Sequence, residues 1–313
     1  MNNFNSLIIG MGNIGYKYDN NLDSSYKLTH LSSLQAIKKI NKIYCFDSKD
    51  FKIDKTHKIF KLVGNIKLLK KLKNSNIDLV TISTPTNTHL KILNKVLLYL
   101  NPKIILIEKP GTKKSHDFLK ILRKCNRRGI ILFCNYYRNF DFFFQKPIKY
   151  IKKYYNEIII KYSDSIYVNL PHFICYLSFF LKGKFKITIL KKNQLKNKKK
   201  NIDILLEHKN CKIYILQNYS GINEMVIENK KFLINSSENF NRFVILEKNK
   251  SNIFKKKMIF TKSIFMKNKN LKNYQKIVYD KILKNLKNKK YTDQLNKNSY
   301  KTLQILNSIE KEL

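Results

Sequence analysis

Six residues near the start of the chain, Gly10-Met11-Gly12-Asn13-Ile14-Gly15, constrain the fold more than any other segment. They follow the apolar run Leu7-Ile8-Ile9 and fit the pattern G-x-G-x-x-G, in which a strand turns tightly into a helix and backbone amides face an anion. The chain has eight glycines, and three stand in this motif. We therefore expect Gly10, Gly12, Asn13, Ile14 and Gly15 to bind a dinucleotide pyrophosphate; the alternative is a strand-to-helix turn without a ligand.

An acidic residue at the end of the second strand is expected to bind the adenosine ribose of NAD. Asp47 ends the run Lys42–Phe46 and is the candidate, which favours NAD, with NADP as the alternative. It lies 32 residues beyond Gly15, against about 20 in the usual pattern, and an inserted loop, Tyr16–Lys27, accounts for the excess. The alternative is a turn or helix-cap aspartate.

The first half of the chain alternates apolar runs with helical patterns, as in a parallel sheet built from βαβ units. The predicted strands are Ser6–Gly10, Lys42–Asp47, Asp78–Ser83, Lys103–Glu108 and Ile130–Asn135. The predicted helices are Thr29–Ile40, Ile66–Lys73, Thr88–Tyr99 and Ser115–Arg127. This pattern predicts an α/β Rossmann domain with a doubly wound parallel sheet over residues 1–138.

After Asn139 several strands follow one another, which predicts an α+β domain with a largely antiparallel sheet over residues 139–313. The predicted strands are Ile158–Tyr162, Phe185–Leu190, Ile202–Glu207, Lys212–Gln217, Glu224–Ile227, Lys231–Asn235 and Phe243–Glu247. The predicted helices are Phe143–Tyr155, Pro171–Leu181, Asn273–Leu286 and Asn296–Lys311. The lysine- and asparagine-rich run Lys192–Asn201 is predicted to be a solvated loop.

The formal net charge of +42 raises the question of a nucleic-acid or membrane partner. Only five of the 63 basic residues are arginine, the residue favoured for phosphate and base contacts, and the lysines are spread along the whole chain. We therefore expect no specific nucleic acid and no membrane as partner, although a polyanion-binding protein stays an alternative. No apolar stretch is long enough for a bilayer span and the five cysteines are scattered, which predicts a cytoplasmic protein without a metal site.

A second candidate site follows the strand Ile104–Ile107, in Glu108-Lys109-Pro110. Ligands bind at the carboxyl ends of strands in open α/β sheets, and a lysine there can relay a proton or stabilise an alkoxide during hydride transfer. Taken alone, Lys109 could equally be a solvent-facing lysine. His30 and His89 are expected to face the same cleft.

The ordered set of Gly10–Gly15, Ser83–His89, Glu108-Lys109-Pro110 and Asn135–Arg138 resembles the Gfo/Idh/MocA oxidoreductases, a family that includes glucose–fructose oxidoreductase and inositol dehydrogenase. The resemblance implies an NAD(P)-dependent dehydrogenase or reductase for a sugar, sugar derivative or polyol, of the kind used in surface-polysaccharide metabolism. It also implies a homo-oligomer formed through the C-terminal sheet. The residues that it assigns to the cofactor cleft are Thr84, Pro85, Asn87, His89, Glu108 and Lys109.

The resemblance further assigns Asn135, Tyr136 and Arg138 to the substrate, with Lys109 as a catalytic residue; ordinary packing at a strand end is the alternative for Asn135–Arg138. In the family a histidine begins a helix of the second domain, and His172 in Asn169-Leu170-Pro171-His172 is the matching catalytic candidate. Asn169 is the candidate beside it for the substrate, but the acid expected four residues before the histidine is replaced by Val168. This departure leaves open a catalytically inactive NAD(P)-binding sensor of the same fold, and a merely structural histidine.

Overall fold

The computed structural model of this protein describes residues 3–53, 56–147, 150, 157–163, 168–178, 183–194, 200–208, 211–250 and 258–312. The chain forms two compact units, Met1–Asp141 with Lys272–Gln304, and Phe142–Leu271 with Ile305–Leu313. The first break lies close to the predicted boundary at 138/139. The prediction placed Lys272–Gln304 in the second domain, whereas the structure packs this segment with the first unit.

The first unit contains a six-stranded sheet in the order β3-β2-β1-β4-β5-β6, with every pair parallel. This is the strand order of a Rossmann fold. The strands are Phe4–Ile9 (β1), Ile40–Asp47 (β2), Ile59–Val63 (β3), Ile77–Ile82 (β4), Ile104–Glu108 (β5) and Ile131–Asn135 (β6). The predicted fold class of this domain is confirmed.

Helices follow the strands in the order expected for crossover connections. Their bounds are His30–Gln35 (α1), Thr86–Tyr99 (α2), Ser115–Arg127 (α3), Phe142–Gln145 (α4), Leu170–Leu177 (α5), Tyr274–Lys284 (α6) and Lys289–Lys311 (α7). The first four residues of β5, Ile104-Ile105-Leu106-Ile107, are completely buried. A strand without a polar face must be covered on both sides, and each buried side chain of this size stabilises the fold by about 1.5–3 kcal/mol.

Three elements of the first unit differ from the prediction. Helix α1 ends at Gln35, because β2 begins at Ile40, and the predicted helix at Ile66–Lys73 is a 3-10 helix, Ile66–Leu72. Strand β3 was not predicted. It lies at the edge of the sheet, and of its five residues only Ile59 is buried, so neither its length nor its pattern distinguishes it from a loop.

The second unit contains an eight-stranded sheet in the order β14-β13-β12-β11-β7-β10-β9-β8, antiparallel except for the pair β7 and β10. Its strands are Glu157–Tyr162 (β7), Lys186–Gln194 (β8), Lys200–His208 (β9), Cys211–Gln217 (β10), Glu224–Glu228 (β11), Phe232–Ser237 (β12), Arg242–Lys250 (β13) and Met258–Lys267 (β14). The predicted largely antiparallel sheet is therefore confirmed. Within the described residues no helix is long and apolar enough to cross a membrane.

Parts of this unit also differ from the prediction. The run Lys192–Asn201, predicted to be a loop, contributes its two ends to the paired strands β8 and β9, and residues 195–199 lie outside the described residues. Strand β14 was not predicted. The predicted helix over Phe143–Tyr155 is described as α4, with most of its remainder outside the described residues, and the last residues of the predicted helix Pro171–Leu181 also lie outside them.

Candidate functional site

The three motif glycines occupy three different environments at the end of β1. Gly10 has φ of +104°, and a Cβ on it would lie 2.8 Å from the backbone carbon of Ser83. A Cβ on Gly15 would lie 2.1 Å from the carbonyl oxygen of Gly10. Both positions therefore exclude every side chain for reasons of packing.

Gly12 differs from these two, because a Cβ on it would meet nothing within 4 Å. Gly12 and Asn13 are exposed, so the backbone here is open to an approaching group. A pyrophosphate can approach the backbone closely only if no side chain stands at the second glycine of the motif. The residues present thus fit a dinucleotide.

An inserted loop separates the motif from α1, as the spacing predicted. The amide of His30 donates to the carbonyl oxygen of Ile14 (2.9 Å), and the amide of Leu31 donates to that of Gly15 (3.1 Å). Helix α1 thus continues directly from the motif in space. The loop is organised by the Asp19 carboxylate, which accepts bonds from the amides of Leu28 and Thr29.

Asp47 stands at the carboxyl end of β2, next to the glycine motif. One of its oxygens accepts a bond from the amide of Met11 (2.7 Å), and the other accepts one from the amide of Lys49 (3.1 Å). The carboxylate therefore holds the motif in place and is half-exposed beside it. This position suits a bond to a ribose, and the bond to Lys49 also agrees with the alternative of a turn aspartate.

The loop after β4 closes against the motif. The hydroxyl of Ser83 donates to the carbonyl oxygen of Gly10 (2.8 Å), and the hydroxyl of Thr88 donates to the side-chain hydroxyl oxygen of Thr84 (2.7 Å). Pro85 precedes α2, and Asn87 in its first turn is exposed. Thr84, Pro85 and Asn87 are thus at the sheet edge that carries the glycine motif.

His89 lies beneath this edge rather than facing a cleft. Its side chain is fully buried, with Nδ1 2.9 Å from the carbonyl oxygen of Gly111 and Nε2 2.7 Å from that of Thr84. Burial lowers the pKa of His89, although the two carbonyl oxygens oppose this effect. Both ring nitrogens are engaged with backbone, so His89 joins two loops at this edge of the sheet.

Lys109 follows β5 directly. The amide of Gly111 donates to the carbonyl oxygen of Glu108 (3.0 Å), which closes a turn around Lys109 and Pro110, and their peptide bond is cis. Lys109 is half-buried. The turn therefore presents an amine at the carboxyl end of the sheet, on the edge where the glycine motif also lies.

Glu108 points into a buried polar network. Its Oε1 accepts bonds from Nε2 of His30 (3.1 Å) and from the side-chain amide of Asn135. The side-chain oxygen of Gln275 accepts a second bond from the Asn135 amide (3.1 Å). The side-chain nitrogen of Gln275 lies 3.0 Å from Nδ1 of His30. The hydroxyl of Tyr279 lies 2.8 Å from the same Nδ1 and 2.9 Å from the Thr81 hydroxyl.

Charge in this network is concentrated on Glu108. Burial opposes its ionisation, but the bonds from His30 and Asn135 and the charge of Lys109 outweigh burial, so the pKa of Glu108 is lowered. Burial and the Glu108 charge raise the pKa values of Tyr274 and Tyr279 above their ordinary range. An ionised Glu108 beside neutral tyrosines and a lysine ammonium is thus the favoured state.

The residues that follow β6 are mostly buried. Asn135 is 4% exposed and its Oδ1 has no hydrogen-bond partner among the residues that the structure describes, whereas its amide nitrogen belongs to the network above. Tyr136 is buried, and the guanidinium of Arg138 stacks 4.8 Å from the ring centre of Tyr137. These three predicted substrate residues lie at the same sheet edge as Glu108 and Lys109.

His172 belongs to the second unit, in the first turn of α5. Its side chain is half-buried, and its amide donates to the carbonyl oxygen of Asn169 (3.0 Å). The amide nitrogen of Asn169 donates to the carbonyl oxygen of Ser163 (3.0 Å). Asn169 therefore supports the chain ahead of the helix, and Val168 stands at the sequence position where the acid was expected.

Gln275 and Tyr279, which belong to the network, were not predicted as site residues. Both come from α6, and Gln275 lies 245 residues after His30. Their spacing of four on one helix was a visible signal, since both can face one side. Within the described residues, no cluster of three or more His, Cys, Asp or Glu side chains could hold a metal ion.

Comparisons with known proteins agree with this geometry. A family model described as "Oxidoreductase family, NAD-binding Rossmann fold" (Gfo/Idh/MocA) matches residues 4–136. A search of curated protein sequences found no match.

Three solved structures share the fold over nearly the whole chain. A dehydrogenase (MviM) from Clostridium difficile has 14% identity and a TM-score of 0.67, covering 99% of this chain and 100% of that one. A 3-ketoreductase from Actinomadura kijaniata, in complex with TDP-benzene and NADP, has 10% identity and a TM-score of 0.73, covering 96% and 95%. A super-repressor mutant of Gal80p from Saccharomyces cerevisiae has 11% identity and a TM-score of 0.71, covering 99% and 95%.

Proposed function

We propose that this chain, whose residues 4–136 match the model of the NAD-binding Gfo/Idh/MocA oxidoreductase family, is a dehydrogenase or reductase acting on a hydroxyl or keto group. The observation that carries the proposal is the position of Lys109. Its amine follows β5 at the sheet edge that also holds the open backbone of Gly12. A dinucleotide on that backbone and a proton-carrying amine are the two parts that such a reaction needs.

Bound NAD(P)H supplies the hydride for a carbonyl carbon, and the oxidised form accepts one from an alcohol. In the reducing direction, the Lys109 ammonium donates its proton to the carbonyl oxygen as the hydride arrives at carbon. In the oxidising direction the neutral amine takes the hydroxyl proton. Glu108 stays ionised and stabilises the ammonium, while Asp47, Thr84, Pro85 and Asn87 line the cofactor side.

We further propose a sugar or sugar derivative as substrate. The fold neighbour from Actinomadura kijaniata is a 3-ketoreductase crystallised with TDP-benzene and NADP, which supports a sugar nucleotide as the first class to test. Asn135, Tyr136 and Arg138 are our candidates for contacts with its hydroxyls, and His172 with Asn169 for the second unit. NAD is the proposed cofactor, with NADP as the alternative.

Replacement of Lys109 tests this function. Lys109→Ala should lose turnover by about 10²–10⁴-fold, because it removes general acid–base catalysis, while the heat of NAD(H) binding in calorimetry stays close to that of the original protein. Lys120→Ala is the matched control, since Lys120 is exposed on α3. Turnover of a sugar-nucleotide panel at the original rate in Lys109→Ala would exclude the amine as the proton carrier.

A cofactor-binding regulator is the second candidate function. The same fold occurs in a super-repressor mutant of Gal80p, and the acid expected ahead of His172 is replaced by Val168. Such a protein would bind NAD(H) and leave it unreacted with every sugar in the panel. Steady hydride transfer with any substrate would exclude it.

We also propose a homodimer formed through the open face of the second sheet. A row of paired side chains, apolar except for one asparagine, crosses this face without full burial: Leu205, Tyr214, Ile159, Val226, Asn235, Val244 and Phe265. Phe265 is 63% exposed. A cytoplasmic location is proposed as well, because the five cysteines are free thiols, as is usual in a reducing compartment.

A further inference from the structure

The catalytic end of the first sheet is supported by a helix from the far end of the chain. Helix α6 brings Gln275 and Tyr279 against the ring of His30, which is fully buried. His30 in turn contacts Glu108, the residue before Lys109. Two hydrogen-bond steps therefore connect α6 with the neighbour of the proposed proton carrier.

The hydrogen bonds of this network determine which ring nitrogen of His30 carries the proton. Asn135 directs one amide hydrogen to Glu108 and the other to Oε1 of Gln275. The amide nitrogen of Gln275 must then face His30, so Nδ1 of His30 accepts a bond from Gln275. The Tyr279 hydroxyl, which also lies near the Thr81 hydroxyl, can donate to the same Nδ1. When one ring nitrogen accepts, the other carries the hydrogen. Nε2–H of His30 therefore points at Glu108.

A carboxylate that receives this hydrogen keeps its charge in spite of burial. The side chain of Glu108 is only 14% exposed. The titratable groups that act on Glu108 or respond to its charge come from several elements; they are His30, His89, Lys109, Tyr274 and Tyr279. Among them, the positive charge of Lys109 helps to lower the pKa of Glu108.

We propose that Gln275, Tyr279 and His30 are positioning residues that keep Glu108 ionised and thereby hold the Lys109 amine in its protonated form. The proposal rests on the proposed function, in which Lys109 carries the proton. It assigns to α6 a part in proton handling that is exerted through His30 and Glu108.

The first test observes His30 in the protein without cofactor or substrate. In ¹⁵N-histidine spectra at neutral pH, His30 should show a protonated Nε2 and an acceptor Nδ1, with the resonance assigned by its loss in His30→Gln. A protonated Nδ1 on His30 would overturn the proposal. Because the chain has six histidines, the resonances can be resolved individually.

The second test measures the amine itself. The pH midpoint of Lys109 is obtained from competitive acetylation and peptide mass spectrometry. His30→Phe removes the hydrogen bond to Glu108 and should lower this midpoint by about 1 pH unit, the smaller end of the shift that a lost opposite charge causes. His30→Gln keeps a donor near the position of Nε2 and should retain the original midpoint, as should the control His116→Gln, whose side chain is exposed on α3.

A variant that fails to fold does not decide the question alone. Where His30→Phe lacks cooperative unfolding, the double variant Gln275→Met with Tyr279→Phe replaces it, and its midpoint should move in the same direction by a smaller amount. Tyr291→Phe is the matched control for loss of a tyrosine hydroxyl in the same unit. An unchanged Lys109 midpoint in the folded variant overturns the proposal.

Both measurements separate this proposal from the proposed function. They use protein without cofactor, so they report on the network whether or not turnover occurs. Absence of NAD(H) binding with a shifted Lys109 midpoint would refute the dehydrogenase and keep the network. Turnover that depends on Lys109, together with an unshifted Lys109 midpoint in the variants, would support the dehydrogenase and refute the network.

Discussion

Gly12 and Gly15 serve the motif for opposite reasons, and this difference can be measured. A Cβ at Gly12 meets nothing within 4 Å, so Gly12→Ala should unfold at the original denaturant midpoint. It should nevertheless weaken NAD(H) binding at least tenfold, which corresponds to about 1.4 kcal/mol, because the methyl group occupies the approach of the pyrophosphate.

Gly15→Ala is the matched comparison. Its Cβ would stand 2.1 Å from the Gly10 carbonyl oxygen, so the backbone must move, at a cost of about 1–3 kcal/mol or more. Denaturant unfolding and calorimetry of both variants check the two expectations. Undiminished NAD(H) affinity in Gly12→Ala would contradict the placement of a phosphate at this backbone.

At the scale of single residues, the sequence was informative where a local motif fixes the chemistry. The glycines and Asp47 were predicted, and the structure joins them through the Met11 amide. His30 and His89 were expected to face the cleft, but both are fully buried. Their partners are carbonyls and side chains from distant elements, and a linear pattern does not show which side of a loop will be covered.

At the scale of elements, buried and periodic segments were predictable and edges were not. Strand β5 is completely apolar over four residues and was assigned correctly, whereas β3 and β14 lie at the ends of their sheets and have mixed exposure. Helix α6 was predicted as a helix. Its membership in the first unit depends on contacts with α1 and could not be inferred from its own sequence.

Because α6 packs with the first unit, we expect that residues 1–141 do not form a stable domain alone. Without α6, His30, Asn135 and Thr81 lose partners in Gln275 and Tyr279, and each unsatisfied buried group costs about 1–3 kcal/mol. The buried surface around Val278 and Ile282 would also be exposed.

Co-expression of residues 272–304 with the fragment 1–141 should restore cooperative unfolding and NAD(H) binding. Circular dichroism and calorimetry of the fragment with and without this segment make the comparison. A 272–304 segment with Val278 and Ile282 both changed to Asp is the control, since it keeps length and position but cannot pack. Cooperative unfolding of the fragment 1–141 alone would contradict the assignment.

At the scale of the whole molecule, the formal net charge of +42 affects stability more directly than it indicates a partner. Like charges repel in the compact state and are screened by salt over about 10 Å at 0.1 M, so the unfolding temperature should rise between about 20 and 300 mM NaCl. DNA binding at low salt should weaken steeply over the same range, as counterion release requires. Calorimetric scans and a DNA titration at matched salt check both effects. An unfolding temperature that is insensitive to salt would mean that local ion pairs, such as Lys103 with Asp78, already compensate the repulsion. DNA binding that persists at 300 mM NaCl would favour a selected polyanion site.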